Sequence, residues 1–325
     1  MNWGVMATGM IAEKFARTIS SMRSEGENIV AVGSRDKERA QAFAKQYGIE
    51  KAYGSYEELA AAPNVDAVYI ATPNNLHFEN TMLCMNAGKH ILCEKPFTTC
   101  AEDAEKLYKT ADEKVLFVME GFWTRFLPLY DELLKIIKSK QFGKLCHARC
   151  DYGFIANGAR RERKFLSELG GGALLDIGIY NLGFLRFIMG GDPEAFQSEV
   201  RFNEYGTDEF SVIQLRYPKG RTAHSLQTIG LQIERKAALY FDRASIYLPD
   251  FQGAYSMIVE PVDSDSYEVD SPPEINGFEY EVREVTRSVK AGKTHSDIFR
   301  PEDSIAVLRL MDKIRESWGL KFSFE

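Results

Sequence analysis

The 325 residues predict an α/β chain in two parts: a doubly wound parallel sheet over residues 1–120, then an α+β part with a large open sheet over 121–325. Three observations carry this. Up to residue 120 short apolar runs alternate with stretches of helical period, the pattern of strand–helix–strand units. Beyond it the pattern changes to successive strand-like runs. A length of 325 residues at 45% hydrophobic content is enough for two cores.

Composition narrows the function classes. A net charge of -7 argues against nucleic acid, and the basic cluster Arg160-Arg161-Glu162-Arg163-Lys164 is too short to reverse that. No apolar run of about eighteen residues is expected to span a membrane, and Met1-Asn2-Trp3-Gly4 does not open like a signal peptide. The cysteines Cys84, Cys93, Cys100, Cys146 and Cys150 form no Cys-x-x-Cys pair, so buried thiols, no metal and a reducing, cytoplasmic location are expected.

In order, a strand Trp3–Ala7 leads into a helix from Gly9 to about Met22. Between strand and helix, Ala7, Gly9 and Ala12 occupy the small-residue positions of a dinucleotide-binding turn, which makes Ala7, Thr8, Gly9, Met10 and Ile11 the candidate diphosphate cradle. The second strand, Ile29–Gly33, ends at Ser34-Arg35, where an NAD site usually presents a carboxylate. A hydroxyl and a guanidinium suit a 2'-phosphate, so NADP is expected, with NAD possible. Asp36 caps the next helix, which stops at Gly48; Ser55 and Glu58 form a capping box. Strand Val65–Ala71 runs into Thr72-Pro73-Asn74-Asn75-Leu76-His77, a polar loop placed to touch the nicotinamide half through Thr72, Pro73, Asn74 and His77. A helix from His77 to Ala87 follows, then a strand ending at Glu94-Lys95-Pro96, with the Lys95–Pro96 bond expected to be cis. Thr99 and Glu102 predict another capping box, and a strand Val115–Glu120 leads to Gly121-Phe122-Trp123-Thr124-Arg125-Phe126.

In the second part a helix Leu129–Ser139 precedes strands at Lys144–Gly153, Glu199–Asn203, Phe210–Tyr217, Arg221–Thr228, Lys236–Phe241 and Ala244–Leu248. Residues 262–273 read as an exposed connection, followed by helices over 277–290 and 301–318. Inside this part, Gly170-Gly171-Gly172 opens a stretch with Asp176 and Tyr180 four apart, neighbours on an α-helix. A phenol with a reference pKa of roughly 10 can exchange a proton with a substrate oxygen when a cation supports its phenolate, and Lys95 is the candidate cation.

Ala71-Thr72-Pro73-Asn74-x-x-His77, Glu94-Lys95-Pro96 and Gly170-Gly171-Gly172-x-Leu174-x-Asp176-x-Gly178-x-Tyr180 occur in this order, and with them the chain resembles the Gfo/Idh/MocA oxidoreductases over nearly its whole length. Ala7-Thr8-Gly9, Trp123-Thr124-Arg125-Phe126 and Tyr180 look most like its dihydrodiol and xylose dehydrogenase branch. The resemblance implies an N-terminal Rossmann domain and a mostly antiparallel second sheet that often forms a dimer interface. It also implies that Lys95, Asp176 and Tyr180 flank the reacting carbon of a sugar, cyclic polyol or vicinal diol. Glu94, Lys95, Trp123 and Arg125 join the cofactor set, and Phe154 and Lys164 the substrate set. Two departures stand out: Ala7 replaces the usual first glycine, and Lys164 stands near a frequent arginine. An NAD-retaining glycosidase and a non-catalytic NADP-binding sensor are the alternative functions.

Overall fold

The computed structural model describes residues 1–324, the side chains at 159 and 160 excepted. It has two compact units: Met1–Trp123 with Glu274–Ile305, and Thr124–Pro273 with Ala306–Glu325.

The first unit is built in chain order from β1 (Asn2–Met6), α1 (Met10–Ser21), β2 (Asn28–Gly33), α2 (Lys37–Tyr47), β3 (Lys51–Tyr53), α3 (Tyr56–Ala60), β4 (Ala67–Ile70), α4 (His77–Asn86), β5 (His90–Glu94), α5 (Ala101–Lys114) and β6 (Val118–Gly121). The strands are all parallel in the order β3-β2-β1-β4-β5-β6. Every residue of β4 is buried, as an apolar strand covered on both faces must be. The order reverses between β1 and β4, which opens a crevice at the carboxyl ends of these strands. Phe15 of α1 stacks on Tyr69 of β4 at 3.9 Å and meets Trp3 of β1 edge-on at 5.3 Å, fixing the helix over the sheet.

Local signals placed most helix ends correctly. Asp36 accepts the Arg39 amide at 3.1 Å, and α2 stops at Gly48 with φ 67°. Ser55 accepts the Glu58 amide at 3.1 Å, while the Glu58 carboxylate takes the Gly54 amide. Two expectations need correction. The N-cap residue of α5 is Cys100, not Thr99, and its side chain caps no amide of the helix; the Thr98 hydroxyl donates to the Cys100 carbonyl at 2.7 Å, and Glu102 pairs with Lys106 instead. Val115 does not start β6; it ends α5 with φ 55°.

The second unit begins with α6 (Pro128–Ser139), β7 (Leu145–Ile155), α7 (Ala159–Phe165) and α8 (Ile179–Met189). Strands β8 (Ala195–Phe202), β9 (Asp208–Arg216), β10 (Thr222–Thr228), β11 (Gly230–Phe241), β12 (Ala244–Leu248), β13 (Ser256–Pro261) and β14 (Tyr267–Asp270) complete its sheet. The order is β14-β13-β12-β11-β7-β10-β9-β8, antiparallel except where β7 meets β10. The expected connection at 262–273 thus contains an edge strand, whose mostly exposed residues carry no apolar alternation to announce it.

Helix α9 (Phe278–Lys290) belongs to the first unit, so the division at residue 120 is not a single cut. A segment long and apolar enough to cross a membrane does exist, Ser167–Met189, but 83% of its apolar window is buried inside the protein, which makes it a core segment. All five cysteines are free; Cys84, Cys93 and Cys150 are buried, whereas Cys146 is exposed. In the basic cluster Arg161 pairs with Glu204 and Lys164 with Asp176, while the side chain at 160 lies outside the described residues.

Candidate active site

In the first unit the candidate cofactor residues collect at the carboxyl ends of β1, β2, β4 and β5. Ala7 follows β1 with φ 91°, so this position demands the left-handed backbone that glycine adopts without cost. Ala7→Gly is therefore expected to raise stability by up to about 1 kcal/mol, read as a higher midpoint of thermal unfolding. Gly9 precedes α1 without any side-chain cap, and a Cβ placed there would meet nothing within 4 Å. An uncapped N-terminus of a twelve-residue helix, with open space before it, leaves amide donors and the positive end of the helix dipole for an anion. Thr8 and Ile11 are half-buried and Met10 exposed around this opening. These residues fit a dinucleotide diphosphate.

At the end of β2 the Ser34 hydroxyl accepts the Asp36 amide at 3.2 Å, and Arg35 is exposed beside Tyr56; burial raises the Tyr56 phenol pKa, and Arg35 opposes the shift. After β4, Thr72 is buried, with its hydroxyl accepting from Asn80 at 3.1 Å, and Pro73 and Asn74 are half-buried. His77 corrects an expectation: it is 1% exposed, and its two ring nitrogens face the Thr72 and Pro96 carbonyls. Its side chain holds loops together, leaving neither nitrogen for a cofactor.

At the end of β5 the Lys95–Pro96 bond is cis, and Lys95 is half-buried. Glu94 is buried and accepts the Tyr69 hydroxyl; burial raises its carboxyl pKa, against the pull of that bond and of Lys95 and Lys14. Trp123 is 8% exposed, and the Lys14 ammonium lies 4.0 Å over its ring and 3.9 Å over that of Phe278. Burial lowers the Lys14 pKa, while Glu281, Glu94 and Glu279 oppose the shift. Nothing in the linear pattern pointed to Lys14, because its ring partners come from residues 123 and 278.

The second unit brings Phe154, Lys164 and Asp176 together. Lys164 pairs with Asp176, and its Nζ lies 5.0 Å over the Phe154 ring. The three glycines are structural. Gly172 has φ 116° and donates to the Lys164 carbonyl at 2.8 Å, while a Cβ on it would stand 2.2 Å from Asp208. Asp208 in turn accepts the Leu174 amide at 2.7 Å, and burial raises its carboxyl pKa to about 7. Asp176 lies in a π-helical turn, Leu174–Gly178, directly before α8. The α-helical spacing expected between Asp176 and Tyr180 therefore does not apply, because a π turn bonds five residues apart rather than four.

Tyr180 is 4% exposed, with its ring centroid 6.4 Å from that of Tyr152. Tyr152 was missed by sequence reasoning, although Cys150, Tyr152 and Phe154 alternate onto one face of β7. Its hydroxyl donates to Gln252 at 3.0 Å; burial and then the Asp176 charge push its pKa up to about 12, with Arg235 opposing. Arg125 stacks 4.1 Å over Phe187 and lies 3.8 Å from Asp131.

Residues 1–122 match the Gfo/Idh/MocA oxidoreductase family with its NAD-binding Rossmann fold, and residues 130–247 match the Gfo/Idh/MocA C-terminal domain. A trans-1,2-dihydrobenzene-1,2-diol dehydrogenase of Xenopus tropicalis is 32% identical over 327 residues, covering 98% of each chain. The chain belongs to the Gfo/Idh/MocA oxidoreductase family. Its human relative of the same name is 31% identical over 331 residues, or 99% of this chain and 98% of that one. Among solved structures, a 3-ketoreductase from Actinomadura kijaniata in complex with NADP and TDP-benzene superposes with a TM-score of 0.87 at 24% identity, covering 97% of both chains. An aldose-aldose oxidoreductase from Caulobacter crescentus complexed with glycerol gives 0.86 at 23%, covering 98% and 97%. At these identities the structures share the Gfo/Idh/MocA fold. This family member is an oxidoreductase with an NAD(P)-binding Rossmann unit.

Proposed function

We propose that the protein is an NADP-preferring dehydrogenase or reductase acting on CH–OH groups of a sugar, cyclic polyol or vicinal diol. The observation that carries the cofactor choice is the end of β2. Ser34 and the exposed Arg35 stand there, while the carboxylate of Asp36 is committed to capping α2. Bound NADP supplies the hydride acceptor, or NADPH the donor. The residues of the chain handle binding and the proton.

The uncapped start of α1 binds the diphosphate, and Arg35 the 2'-phosphate. Phe154, Lys164 and Asp176 present an apolar ring beside a paired cation and carboxylate, a surface suited to a ring carrying several hydroxyls. In oxidation Tyr180 takes the hydroxyl proton, Lys95 stabilises the phenolate and Asp176 orients the substrate; in reduction the proton travels the other way. Support for the substrate class comes from the diol dehydrogenases at 32% and 31% identity. The same reading makes the protein a cytoplasmic homodimer paired through the eight-stranded sheet, and light scattering of the full chain tests the pairing.

Arg35→Ala tests the cofactor assignment. It is expected to weaken NADP binding by roughly 1.5 to 3 kcal/mol while leaving NAD almost unchanged, measured by fluorescence titration of both. Equal losses for the two cofactors would remove Arg35 from the 2'-phosphate.

A further inference from the structure

The loop before α4 and the turn after β5 meet at one histidine, the first residue of α4. His77 Nδ1 lies 2.7 Å from the Pro96 carbonyl oxygen, and Nε2 lies 2.9 Å from the Thr72 carbonyl oxygen. Carbonyl oxygens only accept hydrogen bonds, so both ring nitrogens have to donate. A neutral imidazole has one N–H; only the imidazolium has two.

The Pro96 carbonyl belongs to the same peptide unit as the Phe97 amide, and that amide donates to Glu120 Oε1 at 3.0 Å. Glu120 lies in β6, is 1% exposed, and accepts the Ser304 hydroxyl on its other oxygen. One peptide unit is therefore held at its oxygen by a histidine and at its N–H by a carboxylate. A cation at the carbonyl and an anion at the amide both follow the peptide dipole, so the two bonds reinforce one another. The peptide is planar and the proline ring fixes φ, which leaves little freedom to the backbone just after Lys95. Among the described residues, Lys95 and Glu94 act on Glu120, and Lys95 and Lys14 act on Glu94 at the end of β5. Burial raises the Glu120 carboxyl to about 7, while Ser304, the Phe97 amide and Lys95 pull it down.

We infer that His77 is held as an imidazolium and that His77 and Glu120 are positioning residues for Lys95, gripping the Pro96–Phe97 peptide from its two ends. The role, though not the protonation state, rests on Lys95 serving the reaction as proposed above. His77 also ties the Thr72 loop to the Lys95 turn, so that the cofactor and proton-handling segments of this unit move together.

Two measurements test the inference. The first is nitrogen-15 NMR of the 325-residue chain labelled at its five histidines, with the His77 signals assigned by elimination using variants of the other four. At a pH of about 8, where an ordinary imidazole is neutral, both His77 nitrogens are expected to remain protonated; a neutral-tautomer spectrum overturns the clamp. The second compares His77→Gln and Glu120→Gln in the native and Lys95→Met backgrounds. His77→Gln can donate to both carbonyls only by moving, and is expected to lower kcat up to about 10²-fold with KM for NADP little changed. Glu120→Gln keeps the acceptor and should cost less. In the Lys95→Met background neither variant should lower kcat further; an equal further loss overturns the positioning role. Should Lys95→Met itself keep normal turnover, the proposed role of Lys95 fails while the histidine spectrum still decides the clamp.

Discussion

Tyr180→Phe is expected to lower the turnover number by about 10² to 10⁴-fold, the usual contribution of general acid-base catalysis. The substitution keeps the ring, which is 4% exposed and packed 6.4 Å from Tyr152, so the folding midpoint and NADP affinity should change little. Only the ionisable oxygen is lost. The neighbouring Tyr152 is a poor substitute, because its hydroxyl is engaged with Gln252 and its pKa is pushed up to about 12. Rapid-mixing measurement of a single turnover at saturating NADP checks the prediction. Near-normal turnover would make Tyr180 a packing residue and Lys95 the preferred proton carrier.

The other large effect is expected from Lys95→Met, which should reduce turnover to a similar extent. If Lys95 stabilises the phenolate as proposed, Tyr180 should ionise at lower pH in the wild type than in Lys95→Met. Removing Lys95 should therefore move the limb on which oxidation gains rate to higher pH. If the two residues act as a unit, Lys95→Met with Tyr180→Phe should cost much less than the product of the separate losses. Losses that multiply would mean that the two contribute independently.

The parts of this account that were legible in the sequence are those coded locally. The alternation of the first 120 residues, the Asp36 and Ser55 caps, the Gly48 stop and the strand runs between Leu145 and Leu248 depend on neighbours within a few residues. Features that depend on distant partners were not legible. Helix α9 returns to the first unit because its apolar face finds α1 there, and no local signal encodes that destination. The π-helical turn at Asp176 looks like ordinary helix in residue type, and it carries the carboxylate to Lys164. His77 reads as a polar loop residue until the Pro96 carbonyl, nineteen residues away, occupies its second nitrogen. Tyr152 was available in principle, since alternation along β7 puts it on the face of Phe154.

The absorbance of reduced nicotinamide, followed when the purified 325-residue chain is mixed with NADP, or with NAD, and a panel of aldoses, cyclic polyols and vicinal diols, tests the proposed activity directly. Substrate-dependent accumulation of NADPH is expected, faster and at lower cofactor concentration than NADH, and it should be lost in Tyr180→Phe. Cleavage of a glycosidic substrate without net cofactor reduction, or NADP binding with no reduction by any member of the panel, would contradict the proposed activity.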